Sequence, residues 1–365
     1  METGKRTPLY VLDTSFETLA VVDVYISSVW TERYNECGDF ELEVPMTEVT
    51  KELFVEGRYL VRNDSEYVMV IETLEPTYDP ENGDVLTVSG RTAESFLERR
   101  IIWGIVTASG NLETVVSKLI NENVVNPSDP NRKISEIQYS PSSITVGNID
   151  IQYFGDNLYE SIETLCKNES VGFKMVLLDK KLIFSLYVGL DRSYEQTEND
   201  YVVFSHAFGN LISSEQVISN KLLKNVCLIA GEGEGPERMQ TSVGSNAGLS
   251  RREIFVDAGS VSQRTGERDP ETNKDILYSD EEYERMLQQE GIDELTEHTA
   301  TDTFDGEINY DSTFQYGVDY TIGDIVSVVS PYSSNRKARI TEFIRSSDAT
   351  GDKEYPTFEI LEKEA

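Results

Sequence analysis

The sequence predicts a mainly β protein with an α+β insert, in which two similar β-barrel domains flank a small α+β domain. Runs of β-forming residues fill both ends of the chain, whereas the apolar period between about residues 104 and 190 is that of amphipathic helices. A pattern of glycines and strands near the start also returns near the end. The expected domains are 1–103, 104–198 and 199–365, with a loop and helix insertion in the second barrel at about 231–300.

Charge limits the partners of this chain. Its 365 residues contain 32 Lys and Arg against 66 Asp and Glu, which gives a net charge of −34. DNA and anionic membranes are excluded as surface partners, because phosphate binding requires clustered cations. No apolar run is long enough to span a bilayer, and Asp13 and Glu17 interrupt the amino-terminal apolar stretch, unlike a signal peptide.

Histidines and cysteines are too few and too scattered for most catalytic or metal sites. His206 and His298 lie far apart, and Cys37, Cys166 and Cys227 show no CxxC spacing. Zinc motifs are therefore absent, and neither histidine lies in a nucleophile-type context. We expect reduced cysteines, no metal and no cofactor.

The first predicted domain consists of strands. The predicted strands are 21–26, 39–45, 59–61, 67–74 and 85–88. Residues 39–45 alternate strictly, so that Phe40, Leu42 and Val44 point to one face and Asp39, Glu41 and Glu43 to the other. A solvated outer face is the usual explanation for such acids, and a wall facing an aqueous channel is the alternative. Strand 67–74 is apolar on both faces, which predicts cover on both sides.

Two amphipathic helices and a hairpin define the predicted middle domain. Asn111 is expected to cap a helix whose apolar residues recur at helical spacing, and a second helix should start near Asp156 or Asn157. Cys166 falls on the apolar stripe of that second helix and is therefore expected in the core. Residues 171–177 and 182–188 should form a hairpin.

The last part returns to strands, predicted at 201–204, 211–217, 226–230, 253–256, 325–329, 338–344 and 357–361. Ser279 and Glu282 form a capping box that opens a helix, which Gly291 is expected to end or interrupt. The order of elements after Gly57 resembles that after Gly323. This similarity predicts an internal duplication of one barrel, although any two β meanders share some pattern.

Several motifs in the same order resemble a known family, the tail hub proteins of long-tailed phages and prophages of Gram-positive bacteria. The resemblance covers roughly residues 20–345 and rests on WTERYNECGDFELEVP at 30–45, SGR at 89–91, FLERR at 96–100, GLDRS at 189–193, VFS at 203–205, GNL at 209–211, RRE at 251–253 and YTIGD at 320–324. The motif residues that it assigns to structural roles are Trp30, Arg33, Gly38, Phe40, Arg91, Asp191, Arg192, Asn210, Asn225, Gly323 and Asp324.

The resemblance implies a structural subunit of the baseplate or tail tip of a virion, made in the host cytoplasm, and not an enzyme. In such hubs three chains close a ring of six barrels, which joins a six-fold tail tube or distal tail ring to a three-fold tip. The implied partners are two further copies of the chain, the distal tail or tail tube protein, the tape measure protein and a tip or fibre protein. The chain stops at Ala365 without a hydrolase or fibre extension, so tip or enzyme functions are expected on another protein.

DNA would be cargo that passes through the ring without being bound. We expect that Asp39, Glu41 and Glu43, or the equivalent acids of the second copy, face this channel and repel the phosphates. Solubility is the competing explanation for the negative charge.

Two other classes of function remain open at this stage. A tail-associated cell-wall-degrading enzyme would use paired carboxylates in a cleft, but no spacing of the acids favours it. A host-receptor binding module would expose aromatic residues at loop tips, whereas many tyrosines here fall within strand patterns. Within the hub family, the sequence does not separate a flexible tail from a contractile particle.

Overall fold

A computed structural model describes residues 6–78, 83–308, 313–329 and 336–361 of the chain. The first part contains β1 (Leu9–Leu12), β2 (Thr18–Val22), β3 (Ser27–Arg33), β4 (Asp39–Pro45), α1 (Glu48–Leu53), β5 (Tyr59–Arg62), β6 (Met69–Thr77) and β7 (Val85–Thr92). The middle part contains β8 (Ile105–Gly110), α2 (Leu112–Ile120), β9 (Ile137–Tyr139), β10 (Ile149–Phe154), α3 (Leu158–Asn168), β11 (Gly172–Leu178) and β12 (Lys181–Tyr187).

The last part begins with β13 (Val203–Ser205), β14 (Leu211–Ser219), β15 (Val226–Ala230), β16 (Gln240–Val243), β17 (Glu253–Asp257), β18 (Arg264–Arg268) and β19 (Asp275–Leu277). It continues with α4 (Asp280–Thr296), β20 (Thr301–Ile308), β21 (Ile325–Val329), β22 (Arg336–Asp348) and β23 (Gly351–Ile360). Short 3-10 helices lie at Ala93–Arg99, Pro130–Arg132, His206–Phe208, Gly235–Glu237 and Gly248–Ser250, and a π-helical turn at Asn121–Val125.

Strands from both ends of the chain form one large sheet. Its order is β14-β20-β23-β22-β3-β4-β7-β6-β5-β1-β2, and β21 and β13 continue from β22 as a branch. The antiparallel pairing of β22 with β3 joins the carboxyl-terminal strands to the amino-terminal ones. Smaller sheets pair β8 with β10, β12 with β9 and β11, β15 with β16 and β17, and β18 with β19. The predicted mainly β fold with an α+β insert is confirmed.

Two five-stranded units with the same pairing lie within the large sheet. In the first unit β3 pairs β4, β4 pairs β7, β7 pairs β6 and β6 pairs β5; in the second unit β14, β20, β23, β22 and β21 pair in the same order. The backbone of Gly57 donates to Ile71, and that of Gly323 donates to Ile340, both at 2.8 Å. A bulge follows each isoleucine. These shared details support the predicted duplication.

Strand β6 separates two hydrophobic cores. Met69 and Ile71 belong to the core of the first unit, whereas Val68 and Val70 belong to the core that contains α2, α3 and the β11·β12 hairpin. The strand was predicted to be covered on both faces because both faces are apolar, and this prediction is confirmed. The first unit and the middle segment are therefore packed together through one strand.

The predicted helix starts are confirmed by their caps. The side chain of Asn111 accepts from the backbone of Thr114 at 2.9 Å, and that of Asn157 from Tyr159 at 2.9 Å. Ser279 and Glu282 form the expected reciprocal capping box at the start of α4. Each cap satisfies backbone N–H groups that have no partner within the helix.

Two sequence-based predictions on single elements were wrong. Residues 21–26 do not form one strand, because β2 ends at Val22 and β3 starts at Ser27. The link between them carries the chain from the edge of the sheet to its middle. Gly291 does not end α4, which continues to Thr296. A Cβ atom at Gly291 would lie 2.6 Å from Ile229 Cδ1, so close packing of the helix on β15 requires a glycine there.

Candidate functional surface

One face of the large sheet carries acidic side chains from β14 to β4. The strand register places Glu215 beside Asp305, Asp305 beside Thr357, and Thr357 beside Glu342. The same face continues across β3 to β4. We call it the acidic face and define it by Asp39, Glu41, Glu43, Glu215, Asp305, Glu307 and Glu342. The opposite side of β4 is buried, as predicted, with Phe40, Leu42 and Val44 at most 3% exposed.

Four of these acids have polar partners. Arg33 bridges Asp39 and Glu342 at 2.5 and 2.6 Å, and thereby ties β3 to both of its neighbours. Although burial lowers the pKa of Arg33, the two carboxylates raise it above its usual value. Glu43 accepts from the hydroxyl of Ser27 at 2.8 Å, and Glu307 lies 3.6 Å from the ammonium of Lys353.

The other three acids are free. Glu41, Glu215 and Asp305 are exposed, and none of them forms a hydrogen bond or an ion pair within the described ranges. A groove of about 770 Å³ crosses this part of the face, and Glu215, Asp305 and Glu342 are among its lining residues. The face can therefore present unneutralised carboxylates to whatever lies against it.

The acids of β4 have counterparts in the second unit. In the first unit, Ser89 lies between Glu41 on one side and the first residue after the bulge of β6 on the other. In the second unit, Thr357 lies in the same way between Asp305 and the first residue after the bulge of β22. Glu41 and Glu43 thus correspond to Asp305 and Glu307. The sequence contains this signal as FELEV at 40–44 and FDGEI at 304–308, although the predicted duplication did not rest on it.

Four motif residues meet where β12 leads into the second unit. The carboxylate of Asp324 accepts from Arg192 Nε at 2.9 Å and from the backbone of Leu190 at 2.6 Å, and it is almost fully buried. Asp191 pairs with Lys337 at 3.0 Å. Gly323 has a φ of 90°, and a Cβ atom there would lie 2.4 Å from the ring of Tyr34. These contacts are structural.

The other motif residues lie in separate places. Trp30 and Phe40 are buried in the first unit, and a Cβ atom at Gly38 would lie 2.2 Å from the carbonyl oxygen of Thr31. Arg91 pairs with Glu72 and Glu98.

Two asparagines hold loops through their amides. Asn210 bonds the backbone of Val203 and Ser205, and Asn225 bonds that of Ser250 and Arg252.

A buried ion pair joins the two units, and no local sequence pattern predicts it. Arg345 on β22 donates to Glu32 on β3 at 2.7 Å. The other carboxylate oxygen of Glu32 accepts from the hydroxyl of Tyr316 at 2.6 Å. The two charged residues are too far apart in sequence for any local pattern to connect them.

Tyr34 contacts both units and the middle segment. Its backbone N–H donates to Thr341 at 3.0 Å, and its carbonyl accepts from Phe173 at 3.1 Å. Its hydroxyl donates to the carbonyl of Ser170 at 3.0 Å and accepts from Arg339 at 3.1 Å. The three parts of the chain are therefore fixed to one another at this tyrosine.

Metal-ligating side chains are dispersed over the part of the chain that the structure describes. The described residues contain no group of three His, Cys, Asp or Glu side chains that could hold a metal ion. All three cysteines are buried, and burial raises the pKa of the Cys37 and Cys166 thiols above the usual value. None of the described helices has the length and apolar character needed to cross a membrane.

The fold is that of phage tail proteins. One similar structure is the 43 kDa tail protein of prophage MuSo2 from Shewanella oneidensis, with a TM-score of 0.58 and 11% identity over 96% of this chain and 98% of that chain. Another is a tail protein from Neisseria meningitidis MC58, with a TM-score of 0.56 and 11% identity over 97% of this chain and 96% of that chain. A third is the prophage tail protein gp18 from Listeria monocytogenes EGD-e, with a TM-score of 0.52 and 13% identity over 98% of this chain and 96% of that chain. No curated protein sequence matches the chain.

The family follows from the sequence itself. Residues 8–358 match the family described as Siphovirus ReqiPepy6 Gp37-like protein, and the chain belongs to this family of siphovirus tail proteins. The resemblance to phage tail proteins found in the motifs is confirmed. The chain thus belongs to a siphovirus protein family and has the fold of phage tail proteins.

Proposed function

We propose that the chain is a structural hub subunit at the distal end of the tail. Three copies close into a pseudo-hexameric ring, which joins the six-fold tail tube or distal tail ring to a three-fold tip and lines the DNA channel. The observation that carries this proposal is the pair of five-stranded units with identical pairing in one sheet. A chain that contains one unit twice gives a three-fold assembly six similar positions.

The acidic face is proposed as the wall of the channel. Asp39, Glu41 and Glu43 would then face DNA together with their counterparts Asp305 and Glu307. DNA carries one phosphate charge per about 1.7 Å, and unpaired carboxylates repel it instead of holding it. The repulsion extends over a Debye length of about 8 Å, so it acts on DNA that passes close to the wall.

The proposal also includes the domain bounds, the partners and the non-enzymatic character of the chain. The proposed domains are 1–103, 104–198 and 199–365, with the insertion at about 231–300. The proposed partners are two further copies of the chain, the distal tail or tail tube protein, the tape measure protein and a tip or fibre protein. The role is structural and non-enzymatic, and it requires no cofactor.

Cryo-electron microscopy of assembled tails tests the ring and the orientation of its wall. The expected result is three copies around the tail axis, with Glu41 and Asp305 towards the axis. A different copy number would overturn the hub, and an outward acidic face would overturn the channel wall alone.

Charge reversal tests the effect on DNA. Tails with Glu41→Lys and Asp305→Lys should eject DNA several-fold more slowly than wild type, whereas Glu234→Lys with Glu267→Lys, at exposed positions of the insertion, should not. Equal ejection rates in both variants would count against the acidic lining.

A further inference from the structure

The junction between the two units depends on a change of partner along β22. Up to Arg339 this strand pairs with β21. A bulge follows at Thr341, and from Glu342 to Ser347 the strand pairs with β3 of the first unit. On this edge, β22 therefore pairs with a strand of its own unit before the bulge and with a strand of the first unit after it.

The corresponding stretch of the first unit has an open edge. Strand β6 pairs with β5 only through Met69 and Val70, and its bulge lies between Ile71 and Thr73. Beyond the bulge, residues 73–77 pair with β7 on one side, and no described strand pairs with them on the other side. This open edge occupies the position at which β22 pairs with β3.

The strand that corresponds to β3 is also open on its outer side. Strand β14 is the second unit's counterpart of β3, and it is the terminal strand of the large sheet. Its outer edge faces no other described strand. Ile218 and Val217 on this strand are 66% and 41% exposed.

We propose that these two open edges pair with each other between neighbouring copies of the chain, β6 of one copy against β14 of the next. This inference rests on the proposed ring. The register follows from the internal junction, where Glu342 lies opposite Arg33 and Ile344 opposite Thr31. Carried over to the copies, it places Thr73 opposite Ser219, Glu75 opposite Val217, Leu74 opposite Ile218 and Thr77 opposite Glu215 of the neighbouring copy.

An apolar contact between the two edges supports this register. Leu74 packs against the core of the first unit, and the exposed side chain of Ile218 would cover it. Pro76 corresponds to Arg345, so this ladder lacks one N–H donor. A proline at an edge limits strand addition, so the proposed seam has one hydrogen bond fewer than the internal junction and relies more on the contact of Leu74 with Ile218.

The geometry of such pairing closes a ring. The two edges lie at opposite ends of the path β14-β20-β23-β22-β3-β4-β7-β6, so each copy uses one edge on either side. A head-to-tail contact of this kind produces a closed ring when the rotation between copies divides a full turn. Each of three copies would contribute eight strands to one continuous sheet.

A cysteine pair tests the register. The backbone N–H of Tyr34 donates to the carbonyl of Thr341, so these two residues form a hydrogen-bonded pair. Hydrogen-bonded and non-hydrogen-bonded pairs alternate along the two strands, which makes Ile344 with Thr31 a non-hydrogen-bonded pair. Its counterpart is Glu75 with Val217, for which a Cα separation of about 4.5 Å allows a disulfide. The Glu75→Cys/Val217→Cys variant, oxidised as purified protein and within assembled tails, should run as a covalent trimer on a non-reducing gel.

Two controls accompany this variant. Glu75→Cys/Ser213→Cys shifts the second thiol by four residues, about 13 Å along the strand, and should not cross-link. Wild type, whose three cysteines are buried, should not cross-link either. Separately, Ile218→Glu should weaken trimer formation at least tenfold in analytical ultracentrifugation, whereas Leu249→Glu at a fully exposed position should not.

The outcomes separate the two proposals. Trimers that form in wild type but are neither cross-linked by Glu75→Cys/Val217→Cys nor weakened by Ile218→Glu would overturn the edge contact and leave the ring intact. Absence of trimers from both the purified protein and the tails would overturn the ring itself. Equal cross-linking of the shifted pair would overturn the register.

Discussion

The guanidinium of Arg345 donates a hydrogen bond to the carboxylate of Glu32 across 2.7 Å, although 313 positions separate the two residues in the chain. Their side chains are only 8% and 1% exposed. Tyr316 and Trp30 also donate to Glu32, at 2.6 and 3.2 Å. Although burial lowers the pKa of Arg345, Glu32 raises it above the usual value.

Breaking this pair should be costly. Arg345→Met or Glu32→Leu alone should lower the free energy of unfolding by about 3–5 kcal/mol, because each leaves a buried charge without its partner. The double variant should recover much of the loss, since it leaves neither charge. Urea denaturation of the four proteins in a double-mutant cycle measures the coupling, and additive losses would contradict the expectation.

Asp324 should contribute to stability through its charge. In Asp324→Asn the ionic hydrogen bond from Arg192 is lost while the volume of the side chain is kept. We expect a loss of about 2 kcal/mol, the range for hydrogen bonds to charged groups. Thermal unfolding compared with Asp200→Asn, an exposed aspartate, checks this result. Equal midpoints for the two variants would argue against a structural role of this motif residue.

Glu94 should make stability decrease with pH. Its carboxyl is buried, one oxygen accepts from Met175 at 2.5 Å, and the other has no partner within the described ranges. Burial raises the pKa of Glu94 to about 7, from 4.5. The folded state therefore retains a proton that the unfolded chain releases, and its advantage falls as the pH rises from 4.5 through about 7.

The Glu94→Gln variant isolates this effect. It should unfold at a higher temperature than wild type at pH 8 and show no such gain at pH 4.5. Glu56→Gln, at an exposed glutamate, is the matched control. A gain that does not change with pH would mean that the titration of Glu94 does not cause it.

Two acids between α4 and its neighbours should make the attachment of α4 pH-dependent. Asp293 accepts from Asn168 on α3 at 2.5 Å and from Gln289 at 2.8 Å. Burial raises the pKa of Glu290 to about 7 and that of Asp293 to about 6. Since both values are raised, α4 should be held more firmly at pH 5 than at pH 8.

Hydrogen exchange of the α4 amides, corrected for the intrinsic effect of pH, measures this difference. Glu290→Gln with Asp293→Asn should remove most of it. Glu281→Gln, an exposed residue of the same helix, should leave it unchanged. Persistence of the full difference in the double variant would assign it to other groups.

Local patterns predicted the elements, but not how distant elements meet. Strand β4 and the start of α2 are confirmed to the residue, because alternation and the cap at Asn111 are local properties. The predicted role of Gly291 as a helix end was wrong because the contact that requires a glycine comes from Ile229 on β15, which is distant in sequence.

Only the part of the acidic face that lies on β4 was predicted from the sequence. The alternation in β4 indicated Asp39, Glu41 and Glu43. The strand pairing identifies Asp305 and Glu307 as the counterparts of Glu41 and Glu43, a relation that the similarity of FDGEI to FELEV also contains. The pairing of β3 with β22 depends on residues some three hundred positions apart. No periodicity within either strand specifies such a partner.

The Glu32–Arg345 pair forms inside a single polypeptide, so this joint is made as the chain folds and does not depend on protein concentration. In the proposed ring, three of the six joints would be of this covalently tethered kind. The other three would be seams without that ion pair, held by strand pairing and by the contact of Ile218 with Leu74. A particle that has to come apart at its tip would then part at those three seams, in steps of 120°, while each subunit remained intact.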